Sequence, residues 1–495
     1  MTRLDSILRN TLFSFIARGI DVAVTFALAV ILARYLGPEG MGEYTYIIAF
    51  VAIFVPLIDL GLDHILIREI ARQQDSARKY VGAALLLKML IILVLLPLGM
   101  LVAWLTGDTS IDNWAILLCF IGTLLLREIP TVVSYAVFLA YERMEYRAVV
   151  TLLFQIVKFS VTLTVVLLGF GLVPIFAAAL IAEAVQGGVA LYLVFKKFTR
   201  PRLVFDPKLW KHYVVESLPL GIAFGFNSLY FQIDIIILRH FRSAEETGLF
   251  SVPFRIVTTL FTVLIPMIWV LLPHLSRAAK DSIQRMDEEG QGYLKGIAVI
   301  TAGLALFMGI EARDLIVNLF GVSYEASAAV LVAISPVIVL HAFSYFFDLT
   351  MTAVGKQRLI IVGAGSIFLV KLIVDLIFVP MYGIMGAALG TLASDLACFS
   401  VMFFLMCKHV TSFHFGRIMV KPFWAALTAG VLLLLIRAWP FYITVVIFGV
   451  SYLIFIWIFR VISPDQKLVF REMTRGLMRK VGLSREDSNG SDDLL

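Results

Sequence analysis

Charged residues are scarce. Asp, Glu, Lys and Arg make up 15% of the 495 residues, where soluble domains carry about a quarter. Hydrophobic residues reach 60%, and mean hydropathy is +0.94. So much apolar surface cannot all be buried in a water-soluble core, so hydrocarbon must be the solvent for much of it. Cysteine is nearly absent. Cys119, Cys398 and Cys407 lie in apolar runs without metal-ligand spacing, which reads as small core residues. His64, His341 and the loop histidines also lack metal spacing. Strand-like alternation is missing, which excludes a barrel. Long polar connections are missing too. None outside the apolar runs exceeds about 20 residues before the C-terminal tail, so no soluble domain is expected on either side of a membrane.

Apolar runs of helical length fill the rest. The first, Thr11 to Ala33, ends in Arg34-Tyr35-Leu36-Gly37-Pro38-Glu39-Gly40-Met41-Gly42-Glu43-Tyr44. The second, Ile47 to Ile67, ends in Arg68-Glu69. About 20 apolar residues cross the hydrocarbon at 1.5 Å rise, and Gly and Pro stop helices, so the opening predicts a transmembrane hairpin. Ala27-Leu28-Ala29 mimics a signal-peptide cleavage site, but the run continues to Ala33, so the segment is expected to stay as a membrane helix. Fourteen spans are expected: 11–33, 44–67, 80–104, 114–139, 148–169, 172–195, 214–238, 248–273, 294–319, 326–350, 358–379, 383–407, 419–437 and 440–460. With that alternation one side collects about 30 Lys and Arg and the other about five, which puts the first side, and both termini, in the cytoplasm. The tail carries a basic amphipathic stretch, Leu468 to Val481, suited to an anionic leaflet. Its acidic end reads as disordered.

The chain repeats itself. Arg34 aligns with Arg239, Gly42 with Gly248, Lys158 with Lys371, and Gly171, Leu180 and Glu183 with Gly383, Leu392 and Asp395, at offsets that drift from 205 to 213. Two six-helix lobes entering from the same side follow, with a cavity between them at mid-membrane depth. The expected organisation is an N-lobe over 1–200, a cytoplasmic linker over 201–213, a C-lobe over 214–408, two further helices over 409–462 and a cytoplasmic tail over 463–495.

Ionised residues inside the spans each need a reason, since one costs at least about 2.5–3.5 kcal/mol at a helix centre. Arg18 has Asp21 at i+3 and Lys371 has Asp375 at i+4, spacings that suit pairs on one helix. Lys88, Arg127, Lys158 and Arg255 have no such partner, and Glu128 points about 100° away from Arg127. Lys88, near one end of its span, is placed to snorkel. Asp59, Glu183, Asp234, Asp348 and Asp395 are also unpaired within their own helices. Interhelical scaffold pairs and a polar cavity both remain open. A cavity with fixed cations suits a phosphate or pyrophosphate through charge-assisted hydrogen bonds. A carboxylate beside the cations could couple substrate movement to a proton. Gly386-x-x-x-Gly390 reads as a helix-packing face, and Gly363-Ala364-Gly365 lies inside a span, where no dinucleotide loop fits.

The opening stretch carries a resemblance. Leu32-Ala33-Arg34-Tyr35-Leu36-Gly37-Pro38-Glu39-Gly40-x-Gly42-x-Tyr44, followed by Asp59-Leu60-Gly61-Leu62 and Ile67-Arg68-Glu69, resembles the start of the polysaccharide biosynthesis, Wzx-type flippase family of the multidrug/oligosaccharidyl-lipid/polysaccharide exporter superfamily. The resemblance implies an all-α polytopic membrane protein of about 14 helices, with two pseudo-symmetric, MATE-like six-helix lobes plus two C-terminal helices. It implies a non-enzymatic transporter in the cell membrane that moves a polyprenyl-pyrophosphate-linked oligosaccharide to the outer leaflet. Membrane lipids, and a glycan polymerase or glycosyltransferases of the same pathway, are the partners it implies; nucleic acid is not. The substrate-binding candidates are Arg18, Arg127, Lys158, Arg255 and Lys371. The ion-coupling candidates are Asp21, Asp59, Glu183, Asp234 and Asp395. No metal or cofactor is expected, with H+ or Na+ coupling left open. A drug antiporter of the same superfamily is the alternative, disfavoured by fourteen spans and the cationic set. A polymerase or ligase needs a large outer loop with catalytic Arg or His, and the outer loops are short and nearly bare of both. A scaffold without transport is the remaining alternative.

Overall fold

The computed structural model describes residues 3–105, 113–411, 415–436 and 439–459; the tail from 460 on, with its basic stretch, lies outside the described residues. Every regular element among the described residues is a helix. Twelve helical stretches are long and apolar enough to cross a membrane. Their outer faces keep large apolar side chains exposed, such as Leu93, Val94, Phe404 and Trp457, as lipid contact requires. The protein is a multi-pass membrane protein. One of the twelve, Ala17–Arg72, has 56 residues and would run about 80 Å if straight, against a hydrocarbon of about 30 Å. Gly37, at φ 68 and ψ −179, breaks it. Counting that stretch as two crossings and adding Pro207–Phe241, which is not among the twelve, is what the expected fourteen requires.

In order, α1 is Arg3–Ala52, α2 Val55–Asp59, α3 Leu62–Arg72, α4 Ala77–Leu105 and α5 Asn113–Phe120. A π-helix, Ile121–Val132, joins α5 to α6, Val133–Ala140. Then come α7 Met144–Leu167, α8 Leu172–Lys197, α9 Pro207–Phe241, α10 Ala244–Trp269, α11 Leu272–Asp281 and α12 Ile283–Ile310. The rest are α13 Ala312–Phe320, α14 Ser327–Ile334, α15 Val337–Ala353, α16 Ile360–Tyr382, α17 Ile384–His409, α18 Phe415–Leu435 and α19 Phe441–Ile458. Several expected spans are broken. The span 44–67 ends α1 at Ala52 and restarts twice, because Pro56 opens α2 and the left-handed Leu60 (φ 44) and Gly61 (φ 78) turn the chain before α3. Pro336 separates α14 from α15, since proline favours a helix start and cannot donate to a preceding turn.

The repeat has a physical counterpart where α1 packs on α10. A Cβ on Gly42 would overlap the carbonyl of Ala244, and a Cβ on Gly248 would overlap the carbonyl of Pro38. The two contacts are reciprocal: residues 38 and 42 are related to 244 and 248 by one offset of 206. Pro38 follows the non-helical Gly37, and Ala244 follows the extended N-cap Ser243. So the matched glycines meet across a pseudo-two-fold relation, and only glycine allows backbones so close. Gly386 on α17 lies against the backbone of Phe378 on α16, as its packing motif predicts. The helices α18 and α19 pack together on α12, where Gly303 and Gly430 make room for Tyr452 and Leu306.

Between the repeats, Asp206 caps α9 by accepting from the Leu209 N–H at 3.1 Å and pairs with Lys79 at 2.8 Å. The Lys79 hydrogen bond holds its carboxyl below the usual carboxylate range.

Candidate functional site

Four helices and the π-helix bring one set of charges together. On α1, Arg18 and Asp21 stand one turn apart at 3.9 Å. Asp21 accepts a hydrogen bond from the Gln155 amide of α7. One turn further along α7, Lys158 lies over the Phe154 ring at 5.4 Å. Lys158 is in the electrostatic field of Glu183 on α8, Arg127 on the π-helix, Arg255 on α10 and Asp21. Glu183 in turn feels Arg127 and Lys158. Arg18 and Arg127 are exposed, while Asp21, Lys158, Glu183 and Arg255 are half-buried. Among the described residues, no carboxylate lies within 4.0 Å of Arg127, Lys158 or Arg255. Four cations and two carboxylates leave the set net positive.

The local sequence explains the convergence. Gly187, one turn beyond Glu183 on α8, has no room for a Cβ because the Pro130 ring and the Leu126 carbonyl lie against it. That close crossing brings Glu183 to the segment that carries Arg127. Pro130 removes a donor from the α-helical ladder, and the chain takes the wider π turn from Ile121 to Val132, a geometry that recurs at functional sites. Its effect is to divide neighbours: Arg127 is exposed, while Glu128 is 3% exposed and faces Lys88 at 3.7 Å. An exposed guanidinium at this depth needs water or an anion beside it, because hydrocarbon cannot solvate it.

Lys88 does not snorkel. Its side chain is 1% exposed and its ammonium lies 2.9 Å from Asp59 and 3.0 Å from Asp63. Asp59 therefore belongs, with Asp63, to a half-buried pair of carboxylates around the buried Lys88 and Glu128, and not with Asp21 and Glu183. The partners stand on three other segments, which spacing along one helix cannot reveal.

Lys371 lies in a second buried network. It sits 2.6 Å from Asp234 on α9, both side chains fully buried, and donates to the Thr391 hydroxyl at 3.0 Å. Its partner is thus Asp234 and not the expected Asp375. Asp375 stands beside Asp234, and Gly390 is opposite, where a Cβ would strike one of its carboxylate oxygens. The Tyr230 ring lies 4.9 Å from the Lys371 ammonium, and its hydroxyl bonds to Asp395. Asp395 also bonds to His341 Nδ1 at 2.6 Å, and His341 stacks on Phe261 at 4.2 Å. Asn227, Tyr230, His341, Ser344, Tyr345 and Asp348 line an adjoining cavity of about 70 Å³. Of the five expected cations, the structure brings Arg18, Arg127, Lys158 and Arg255 to one place and holds Lys371 in another. Of the five expected ion-coupling carboxylates, Asp21 and Glu183 join the first place, Asp234 and Asp395 the second, and Asp59 the Lys88 cluster.

Sequence reasoning gave no site role to Gln155, Tyr230, His341 and Asp63. The only available signal was position: Gln155 is one turn from Lys158, and Tyr230 one turn from Asp234. At one end of the molecule α3 and α9 are tied by Arg68, which bonds to both Glu69 and Glu216, with His212 Nδ1 3.3 Å from Glu216. Elsewhere, Arg34 holds the carbonyls of Asn318 at 2.5 Å and Leu319 at 2.7 Å, the last turn of α13.

Comparison with known proteins fits this geometry. Residues 7–279 match the family described as polysaccharide biosynthesis protein. The capsular polysaccharide biosynthesis protein CapF of Staphylococcus aureus is 23% identical over 415 residues, covering 80% of this chain and 98% of that protein. The lipid II flippase MurJ, in an inward closed conformation, superimposes with a TM-score of 0.71 at 16% identity, over 91% of this chain and 98% of that one. An inward-facing multidrug resistance MATE transporter of the MOP superfamily superimposes with a TM-score of 0.65 at 16% identity, over 79% and 95%. The expected fold class holds, and the chain belongs to the polysaccharide biosynthesis protein family, built on the fold shared by MurJ and the MATE transporters.

Proposed function

We propose that this protein is a flippase that carries a polyprenyl-(pyro)phosphate-linked oligosaccharide from the cytoplasmic to the outer leaflet, for cell-surface polysaccharide or glycan synthesis. The observation that carries the reading is the net-positive set at membrane depth. Arg127, Lys158 and Arg255 have no carboxylate within 4.0 Å among the described residues, and they come from both copies of the repeat. A phosphate or pyrophosphate would complete them through charge-assisted hydrogen bonds, and the planar arginines suit its oxygens bidentately. The family, the CapF relative and the flippase among its structural neighbours support the same substrate class.

In this reading residues 1–200 and 214–408 are the two lobes, and alternating access opens the set to each side in turn. Arg18, Arg127, Lys158 and Arg255 hold the phosphate, and Lys371 with Asp234 holds the C-lobe together. The protein works as a transporter without bond chemistry of its own, in the cytoplasmic membrane with both termini inside, beside the glycosyltransferases that build its cargo. Deleting it should leave lipid-linked glycan on the inner leaflet, detected as lipid-linked glycan shielded from an external glycosidase in intact spheroplasts. Unchanged surface glycan with no such accumulation would refute the reading.

A further inference from the structure

The cations of the site call for an anion, but two neighbouring groups call for something else. Glu183 has one carboxylate oxygen, Oε2, buried without a hydrogen-bond partner, and Gln155, 2% exposed, has its carbonyl oxygen Oε1 in the same condition. Gln155 Nε2 is used on Asp21, so its unmade bond is the acceptor one. The two stand on helices that pack together, α7 and α8, with Lys158 one turn from Gln155 on α7.

Both unmade groups are acceptors. A buried acceptor left unpaired costs about 1–3 kcal/mol, so the site gains when a donor arrives. An ionised phosphate has no proton to donate and cannot fill that role. A ligand that presents O–H or N–H donors beside its anionic group would complete both acceptors. A sugar joined directly to a phosphate does this, since its ring hydroxyls or acetamido N–H flank the phosphoester. A bare polyprenyl phosphate, or a lipid with an apolar group next to its phosphate, does not.

We propose that Glu183 and Gln155 form a subsite for the hydroxyl or acetamido donors of the phosphate-proximal sugar, so that the protein discriminates glycosylated carriers from bare ones. This rests on the lipid-carrier reading above. It gives Glu183 a hydrogen-bonding part in specificity, distinct from ion coupling. Sites built to hydrogen-bond a substrate reject analogues that lack the group, because their own buried groups stay unpaired.

The test uses the full-length protein in lipid nanodiscs with two probes, undecaprenyl pyrophosphate and undecaprenyl-pyrophosphate-linked N-acetylglucosamine, and compares their affinities by native mass spectrometry. Wild type should prefer the glycosylated carrier by about tenfold, the worth of one or two such bonds. In Q155L/E183L that preference should fall to within about twofold while the bare carrier still binds, helped by the lost negative charge. A merely structural role would weaken both probes together. Should the double variant not fold, Q155L alone, which alters no charge, should narrow the preference. Arg127→Ala should weaken both probes equally. Equal binding of the two probes by wild type, or an undiminished preference in the variants, would overturn the subsite. Failure of wild type to bind either probe would overturn the lipid-carrier reading itself.

Discussion

Removing the Lys371 ammonium while leaving Asp234 in place should be among the most damaging single changes in the C-half. The two side chains are fully buried and 2.6 Å apart. At an effective dielectric near 20 that separation corresponds to about 6 kcal/mol of attraction. Each ion also loses several kcal/mol of hydration on burial, so the intact pair comes out near neutral. Lys371→Met cancels the attraction but not the burial of Asp234. Thr391, 3.2 Å from Asp234, then offers a single neutral hydrogen bond in compensation. The expected loss is about 3–5 kcal/mol, read as a fall in stability by steric-trapping or thermal melting in detergent. K371M/D234L removes both charges and should recover most of that loss. If Lys371 is scaffold rather than phosphate ligand, the double variant should also retain most transport. The reasoning is refuted if K371M melts with wild type, or if the double variant is no more stable than the single.

Other outcomes follow from the same geometry. Gly42→Ala and Gly248→Ala should each destabilise the protein by several kcal/mol and to a similar extent, because each Cβ meets the equivalent backbone carbonyl; melting curves of the two variants compare them directly. Lys88→Met leaves Asp59, Asp63 and Glu128 around an empty position, so it should cost more stability than Arg68→Ala, whose charge is 37% exposed. Arg68→Glu should impair transport and be partly rescued by Glu216→Arg, if the tie between α3 and α9 has to form and break during the cycle; no rescue in the double variant would count against it. The carboxyl of Asp206 is held low by Lys79, so its support of the α9 start is present above the ordinary carboxylate pKa and is lost as pH falls through the lowered value. Protection of the Leu209 amide against hydrogen exchange should therefore fall only in acid, and in D206A, which offers that N–H no side-chain acceptor, it should be low throughout.

The parts of the fold that were legible in the sequence were those governed by local chemistry. Apolar runs fix crossings through the 1.5 Å rise, and Gly37-Pro38 marked the first break because glycine tolerates its backbone and proline opens the next helix. The α2–α3 break was not legible. Leu60 is apolar and reads as helix, and only the fold places it at φ 44. The repeat was readable at Gly42 and Gly248, although not that the two would touch. For the site, residue type gave the cations but not their company. Lys88 and Arg127 look alike on their own helices, and Lys371 differs only by an Asp375 at i+4 that is not its partner. What separates them is whether a carboxylate on another helix comes close, and that is decided by crossings such as Gly187 against Pro130, with no trace in helical periodicity. Gln155 was invisible for a different reason: a neutral amide raises no alarm in a membrane span until its carbonyl is found unsatisfied.

The central claim is that Arg127, Lys158 and Arg255 hold the phosphate of a lipid-linked glycan during transfer between leaflets. The direct measurement is flipping in proteoliposomes, with fluorescently tagged lipid-linked glycan extracted from cells lacking the protein and an external quencher. Wild type should expose the inner-leaflet probe to quencher much faster than protein-free vesicles, and R127A/K158A/R255A, folded by its melting curve, should fall to the protein-free rate. A triple variant that flips as fast as wild type would contradict the account, and so would a wild type no faster than lipid alone.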